Sequence, residues 1–430
     1  MTLNPTAAVE AIDGALVRLV DQLRERVRTR PQERWARMAL DGILDQLIQD
    51  ALASATAADE GQSAIERLEE LAMLFPESPT PFLHLSKVCL DRLDYEAAQE
   101  YAEAGLEIEP SHYGLNFNLA LSLSDTGDYE AAIAGFKHCL ELKPNQPWAH
   151  NNIGDCYRLR KRYQQAEKHL RRALELDDQF APAYFNLALL CMDREDWAGC
   201  VHYGLKALRY DPGNKDTHLV VGEAYLSLKE YEVALQHLVA ATLIDRDYVA
   251  AYEAMSAAYV NLAMYELSIA AAQEALKRDP TSWRALANIA FGYAEQGQFG
   301  EAVRIYENVL GRVSDPDDRY RLCWELGWNC FLAEQYERAL EYTGQAIEMR
   351  KHPDLVLFFN KGLILLAQGR MAEADAAYSQ AIGQAELPKD KKVIGEARHD
   401  LEELLSRKGM QLDEASVAYS LLKGGKKVRG

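Results

Sequence analysis

Apolar residues along this chain recur three and four positions apart in segments of about four turns, and the segments come in pairs divided by a polar turn. The pentapeptide Phe-Asn-Leu-Ala-Leu occurs twice, at 117–121 and 185–189, each time inside such a segment. Midway between them, in His150-Asn151-Asn152-Ile153-Gly154-Asp155, Asn152 stands 34 residues after Asn118 and 34 before Asn186. Aligned on these positions, units begin at 79, 113, 147, 181, 215, 249 and 283, with two more, after small insertions, at 320 and 355. A degenerate unit begins near 45 and ends in Phe75-Pro76-Glu77. Each unit predicts two helices joined by a short turn. Few Val/Ile/Thr runs alternate with period two, so the chain reads as all-α.

The second half of each unit opens alike: Asp94-Tyr95-Glu96-Ala97-Ala98, Asp128-Tyr129-Glu130-Ala131-Ala132, Glu230-Tyr231-Glu232-Val233-Ala234, Gln335-Tyr336-Glu337-Arg338-Ala339. The aromatic fills the groove between paired helices, and the alanine stands where they touch. Pro76, Pro110, Pro144, Pro212 and Pro280 end the second helix; Asp178 and Arg246 replace that proline in two units. The pattern resembles the tetratricopeptide repeat, carried in the unit at 113 by Leu119, Ala120, Gly127, Tyr129, Ala132, Phe136 and Pro144, and in the next by Ile153, Gly154, Tyr157, Tyr163 and Ala166. It covers roughly residues 45 to 385, with Lys361 departing from the leucine of other units. The resemblance implies an α-solenoid of helix-turn-helix units forming a right-handed superhelix. The expected organisation is capping helices at 1–44 carrying Leu16, Val17, Val20, Leu23 and Val27, the degenerate unit at 45–78, and about nine tandem units at 79–385. Capping helices at 386–422, with Val393, Ile394, Ala397, Leu401, Leu404 and Leu405 on one face, and a basic disordered tail at 423–430 complete it.

Composition prunes the function classes. A formal charge of −19, from 66 acidic and 47 basic residues, argues against binding a phosphate backbone. No uninterrupted apolar stretch reaches membrane-spanning length and the N-terminus lacks a basic-then-apolar signal pattern, so the expectation is a soluble, cytoplasmic protein without membrane insertion. Seven cysteines without a CxxC pair, and ten scattered histidines, point to neither a disulfide framework nor a metal site. No nucleophile triad, phosphate-cradling glycine loop or paired-carboxylate motif stands out, so no enzyme activity and no cofactor are expected.

In the family this chain resembles, first helices line the concave face through the second, fifth, sixth, ninth, twelfth and thirteenth places of each unit. Three constellations fall there. Asn118, Asn152, Asn186, Asn288 and Asn360 share the sixth place, with Phe117, Leu121, Phe185 and Leu189 flanking. Their amides could bond the backbone of an extended partner, with the apolar neighbours receiving its side chains, or could bond a neighbouring helix. The series resembles the asparagine ladder of O-linked N-acetylglucosamine transferases, without their glycosyltransferase domain. Trp324, Trp328 and Phe331, with Phe291 and Phe359 on adjacent units, form an aromatic stripe, either an anchor pocket or a surface for the C-terminal segment. Arg158 heads a basic run through Arg162, with Lys168, Arg171 and Arg172 after it, and Arg24 to Arg37 form another; each docks an acidic partner or is a solvated helix face. Inward acids, Asp91, Asp125, Asp155, Asp193, Glu223, Glu253 and Glu325, favour a neutral to basic ligand. The clamp by which related repeats hold chaperone carboxylate tails is not matched, since Leu83, Lys87, Trp148 and Asn152 stand where it needs other residues, apart from Asn118. The sequence therefore predicts a non-enzymatic adaptor that holds an extended segment of another protein in its groove. The alternative is a structural subunit that assembles a homo-oligomer or larger complex through its ends and C-terminal aromatic patch.

Overall fold

The chain is described from a computed structural model that covers residues 14–53 apart from Pro31 and Glu33, 62–385, 390–412 apart from Met410, and 416–422. The expected tail at 423–430 lies outside the described residues. All regular structure among them is helical, and the chain forms an α-solenoid divided into two compact units, Met1–Pro212 and Gly213–Gly430.

In the first unit, α1 (Gly14–Thr29), α2 (Arg34–Ala53) and α3 (Gln62–Leu74) precede four hairpins: α4 (Thr80–Asp91) with α5 (Tyr95–Ile108), α6 (Tyr113–Asp125) with α7 (Tyr129–Leu142), α8 (Pro147–Leu159) with α9 (Tyr163–Leu176), and α10 (Ala181–Asp193) with α11 (Trp197–Tyr210). The expected boundary at 44/45 lies within α2. In the second unit five hairpins follow: α12 (Lys215–Ser227) with α13 (Tyr231–Ile244), α14 (Val249–Asn261) with α15 (Tyr265–Arg278), α16 (Trp283–Glu295) with α17 (Phe299–Leu310), α18 (Pro316–Leu332) with α19 (Tyr336–Met349), and α20 (Leu355–Ala367) with α21 (Met371–Gln384). Then come α22 (Lys391–Lys408) and α23 (Val417–Leu422). Inside each unit a second helix packs on both its own first helix and the next one, and most successive first helices touch, which gives each stack an inner face built from first helices.

Two repeat places explain why the helices pair so closely. The eighth place holds Ser86, Ala120, Gly154, Ala188, Gly222, Ser256, Ala290, Gly327 and Gly362, all buried. The twentieth holds Ala98, Ala132, Ala166, Cys200, Ala234, Ser268, Ala302, Ala339 and Ala374, all inaccessible to solvent. Small residues on both helices bring the backbones together, and larger side chains from the twenty-fourth place, such as Phe136, Leu170, Leu238 and Tyr378, fill the remaining space. Each such side chain contributes about 1.5–3 kcal/mol by leaving water.

The turn inside every hairpin is also one device. Its fifteenth-place residue is left-handed in all nine: Leu93, Lys161, Glu195, Lys229, Ala263 and Glu334 at φ between 55° and 65°, Gly127, Gly297 and Gly369 at 77° to 88°. Only glycine adopts this conformation without steric cost, so six turns hold it under strain. Asp94, Asp128 and Asp196 then cap the second helix by accepting the N–H of Ala97, Ala131 and Gly199. The insertion before the unit expected at 320 resolves as a longer first helix. Asp315 accepts from the N–H groups of Asp317 and Asp318, and Pro316 opens α18 one turn early.

Candidate partner-binding groove

Of the two roles open to the sixth-place amides, bonding to the neighbouring helix is the one the geometry displays. Asn118 on α6 donates from Nδ2 to the Ser86 hydroxyl at 2.7 Å and the Leu83 carbonyl at 3.4 Å, both on α4. Asn186 on α10 donates to Asn151 Oδ1 on α8 at 3.0 Å, and Asn151 in turn donates to Asn152 Oδ1 at 3.2 Å. Asn288 on α16 donates to the Glu253 carbonyl on α14 at 3.3 Å. The period causes this, because it sets the sixth place of one unit beside the fifth and eighth of the unit before. Each bond contributes about 0.5–1.5 kcal/mol net. Asn360 is buried on α20. Asn118 uses both amide N–H groups this way, whereas Asn288 keeps one N–H and its Oδ1 without a partner among the described residues. Asn151, only 4% exposed, is the member that period-based reading passed over. The signal was present, since the same fifth place holds Phe117 and Phe185 on either side.

The flanking apolar residues join the hairpin cores in part. Phe117 is half-buried, edge-on to Phe136 with ring centres 5.3 Å apart and stacked on Tyr113 at 5.9 Å. Leu121, Phe185 and Leu189 are half-buried as well. The aromatic stripe is corrected at two positions. Phe331 and Phe359 are 8% and 2% exposed, inside the core of the last hairpins, so neither is an open anchor wall. The reason lies in α22, which packs on α20 and brings Ala397, Leu401 and Leu404 into the same core as Phe359. Trp328 is half-buried 5.3 Å from the Phe331 ring, and Trp324 packs edge-on to Tyr320 at 6.1 Å beside an open depression that includes Leu355 and Val393.

What the structure does bring together is Asn288 and Phe291. With Trp283, Ala287, Tyr306 and Glu325 they line a cavity of about 300 Å³, open to solvent, between α14, α16 and α18. Its origin is an absence of side chains. The ninth place of α14 is Ala257 and the fifth of α16 is Ala287, where other units carry leucine, phenylalanine, tryptophan, asparagine or a charged residue. Two small residues in register on consecutive helices leave the hollow between them.

Charge divides the two inner faces. In the first unit Arg158 is already occupied, with Nε 2.8 Å from Asp155 Oδ1 and Nη1 2.9 Å from Asp193 Oδ2, its side chain 13% exposed. Burial works against its charge, yet the two carboxylates outweigh that and raise its pKa. It ties α8 to α10 instead of standing free for an acidic partner, which corrects its expected role. The other arginines of the run are also paired: Arg160 and Arg162 with Glu130, Arg171 with Glu167, Arg172 with Glu175. In the second unit many acids are paired in the same way, but among the described residues the inward Glu223 and Glu325 make no ion pair, and Glu253 accepts only from the Ser282 hydroxyl. Burial, and next Glu295, raise the Glu325 carboxyl above its usual range. Burial raises Glu223 too, opposed by Arg284 and reinforced by Glu253.

Other chemistry is sparse. Burial pushes the thiols of Cys89, Cys139, Cys156, Cys191 and Cys330 up to about 11, far from the thiolate range of reactive cysteines. Among the described residues no three His, Cys, Asp or Glu side chains gather to hold a metal ion, and no helix is long and apolar enough to cross a membrane.

Family models described as tetratricopeptide repeat match residues 113–179, 285–320 and 331–390. Among curated proteins, BBSome complex member BBS4 of Bos taurus is 24% identical over 185 residues, 43% of this chain and 35% of that protein. Anaphase-promoting complex subunit 3 of Schizosaccharomyces pombe is 26% identical over 154 residues, 35% of this chain and 23% of that one. The chain thus spans about a third or less of the curated relatives it matches. Among solved structures, a tetratricopeptide repeat protein of Parabacteroides merdae shares 18% identity at a TM-score of 0.46, covering 59% of this chain and 98% of its own. The pilF protein of Pseudomonas aeruginosa shares 19% at 0.42, covering 49% and 96%.

Proposed function

Because the chain is a tetratricopeptide repeat protein, we propose that it is a non-enzymatic scaffold whose inner groove holds an extended segment of another protein. The fold itself is a generic recognition surface, so the function has to be argued from the groove. The observation that carries the reading is the cavity on the inner face of the second unit. There an aromatic wall, Trp283 and Phe291, meets an amide, Asn288, that retains hydrogen-bonding capacity. An extended peptide needs both features, an apolar recess for a side chain and a donor and acceptor for its backbone. Two of the curated relatives are named as members of multiprotein complexes, which suits a scaffold role.

The test is recovery of partners by the purified full-length chain and by its Asn288→Ala/Phe291→Ala double variant, followed by reconstitution with the purified partner. Binding weakened in the double variant, with helicity retained, supports the groove; unchanged binding sinks it. Self-assembly is a second reading, favoured by the apolar outer face of α13, where Leu243 is 75% exposed beside Val239 and Ile244. Light scattering that finds a monomer at high concentration removes it.

A further inference from the structure

The series of sixth-place amides is broken once where it matters for recognition. His84, Val220 and Ala254 occupy that place in three other units, and the unit after Asn288 carries Glu325, an acid that lines the cavity. Asn118, Asn186 and Asn288 donate from this place to the preceding first helix. An ionised carboxylate has no hydrogen to donate and cannot make that bond. Accordingly the Glu325 carboxylate finds neither a hydrogen-bond donor nor a cation among the described residues, although its side chain lies in the cavity wall. The nearest acid, Glu295, adds repulsion, and desolvation opposes the charge, so the ionised form here gains from any cation that enters. Arg321 and Asp318, of opposite formal charge, also line the cavity, and Glu295, which accepts from the Tyr265 hydroxyl, is the charge that acts on Glu325.

Beside this acid the cavity is lined by the Phe291 and Trp283 rings, with Ala257 and Ala287 forming its floor by their smallness. At about 300 Å³ it is at the low end of ligand pockets, the size to take one bulky side chain but not a folded element. From this juxtaposition we infer that the cavity anchors a partner segment through a large apolar side chain followed or preceded by a lysine or arginine, the apolar group filling the hollow over Ala287 and the cation meeting Glu325. The Asn288 amide, with one N–H and its Oδ1 left over, bonds the backbone of the same segment between the two side chains. The inference rests on the groove reading proposed above and adds the chemistry of the occupant. The −19 charge of the chain works in the same direction, by drawing basic segments toward it over distance.

Phage-displayed random dodecapeptides selected on the immobilised full-length chain test it. The expected result is enrichment of peptides in which an aromatic or large aliphatic residue adjoins lysine or arginine. Synthetic versions of those peptides should bind Glu325→Gln about tenfold more weakly, the loss expected for one charge-assisted hydrogen bond. Glu325→Lys should shift the preference at that position to aspartate or glutamate, and Ala287→Phe, which fills the hollow, should remove the preference for the bulky residue. Peptides that enrich without a basic residue, or that bind Glu325→Gln as well as the unaltered chain, overturn the inference and leave the groove reading standing. Enrichment of no peptide over an unselected library overturns both. Circular dichroism of each variant distinguishes lost binding from lost fold, and Glu325→Gln disturbs no bond inside the protein.

Discussion

Replacing Gly154 by alanine tests the claim that hairpin packing is set by small residues in the eighth place. A Cβ at 154 would stand 2.7 Å from both Cγ and Cδ2 of Leu170, and 3.3 Å from the Ala166 carbonyl oxygen. Leu170 is wholly buried and has no room to retreat. Overpacking of this kind costs about 1–3 kcal/mol. Against it, alanine is the better helix former by about 0.5–1 kcal/mol, so the net loss for Gly154→Ala is about 0–2 kcal/mol. The propensity gain is removed by comparison with Gly344→Ala in α19, where a Cβ would meet nothing within 4 Å. That variant should gain about 0.5–1 kcal/mol, leaving a gap of about 1–3 kcal/mol between the two that packing alone accounts for. Urea unfolding followed by circular dichroism reads the gap. Repeat arrays need not unfold in one step, so amide exchange in α8 and α9 should be followed in parallel and should show the loss locally. Combining Gly154→Ala with Leu170→Ala should recover part of the cost, a coupling of about 0.5–3 kcal/mol. Gly154→Ala stabilising the chain as much as Gly344→Ala, or strict additivity with Leu170→Ala, would refute the reasoning.

Three further outcomes are expected. Leu93→Gly should stabilise by up to about 1 kcal/mol, since relief of a left-handed conformation outweighs glycine's entropy, while Gly127→Ala at the same repeat place should lose a similar amount; equal Tm values for both would contradict the turn strain. Tyr378→Phe should be neutral or stabilising by about 1 kcal/mol, because the buried hydroxyl has no hydrogen-bond partner; a clear loss in urea midpoint would show that it has one. Acid should loosen the third hairpin through His150 and His169, whose Nδ1 atoms lie 3.2 Å apart and cannot hydrogen-bond once both rings are protonated. Burial, and then His150, hold His169 down to about 4, and burial followed by Arg172 lowers His150. The unfolded chain binds these protons first, so their contribution is complete above about pH 6.5 and is lost as pH falls toward 4. His169→Asn should flatten that acid limb of the stability curve; an unchanged slope would exclude the pair as its source.

The hairpins were legible because period and burial reinforce each other: Ala98, Ala132 and Ala166 recur 34 residues apart at one of the two places where backbones touch. The groove was legible only halfway. Placing Asn118 on the inner side needs the period alone, but its bonding depends on Ser86 and Leu83 in the unit before, and no single-unit pattern contains that pairing. Arg158 looked like a docking cation because its neighbours in sequence are basic, while Asp193, which holds it, is 35 residues away. Phe359 stayed open to two readings because α22, which joins its core, lies outside the repeat and has no assigned place in the period. The cavity is the instructive case, since it follows from side chains that are missing. Ala257 and Ala287 each read as ordinary small residues, and only the stacking of α14 on α16 makes them one hollow.

The buried cysteines have a practical consequence. Cys89, Cys139, Cys156, Cys200, Cys323 and Cys330 are buried in hairpin interiors, distributed over α4, α7, α8, α11 and α18. A thiol enclosed in this way is alkylated only after its own hairpin opens. The rate at which each cysteine of the unaltered chain takes up a maleimide therefore times the opening of that hairpin. Read peptide by peptide in a mass spectrometer, with and without a ligand, those rates would show which hairpins a bound segment clamps shut.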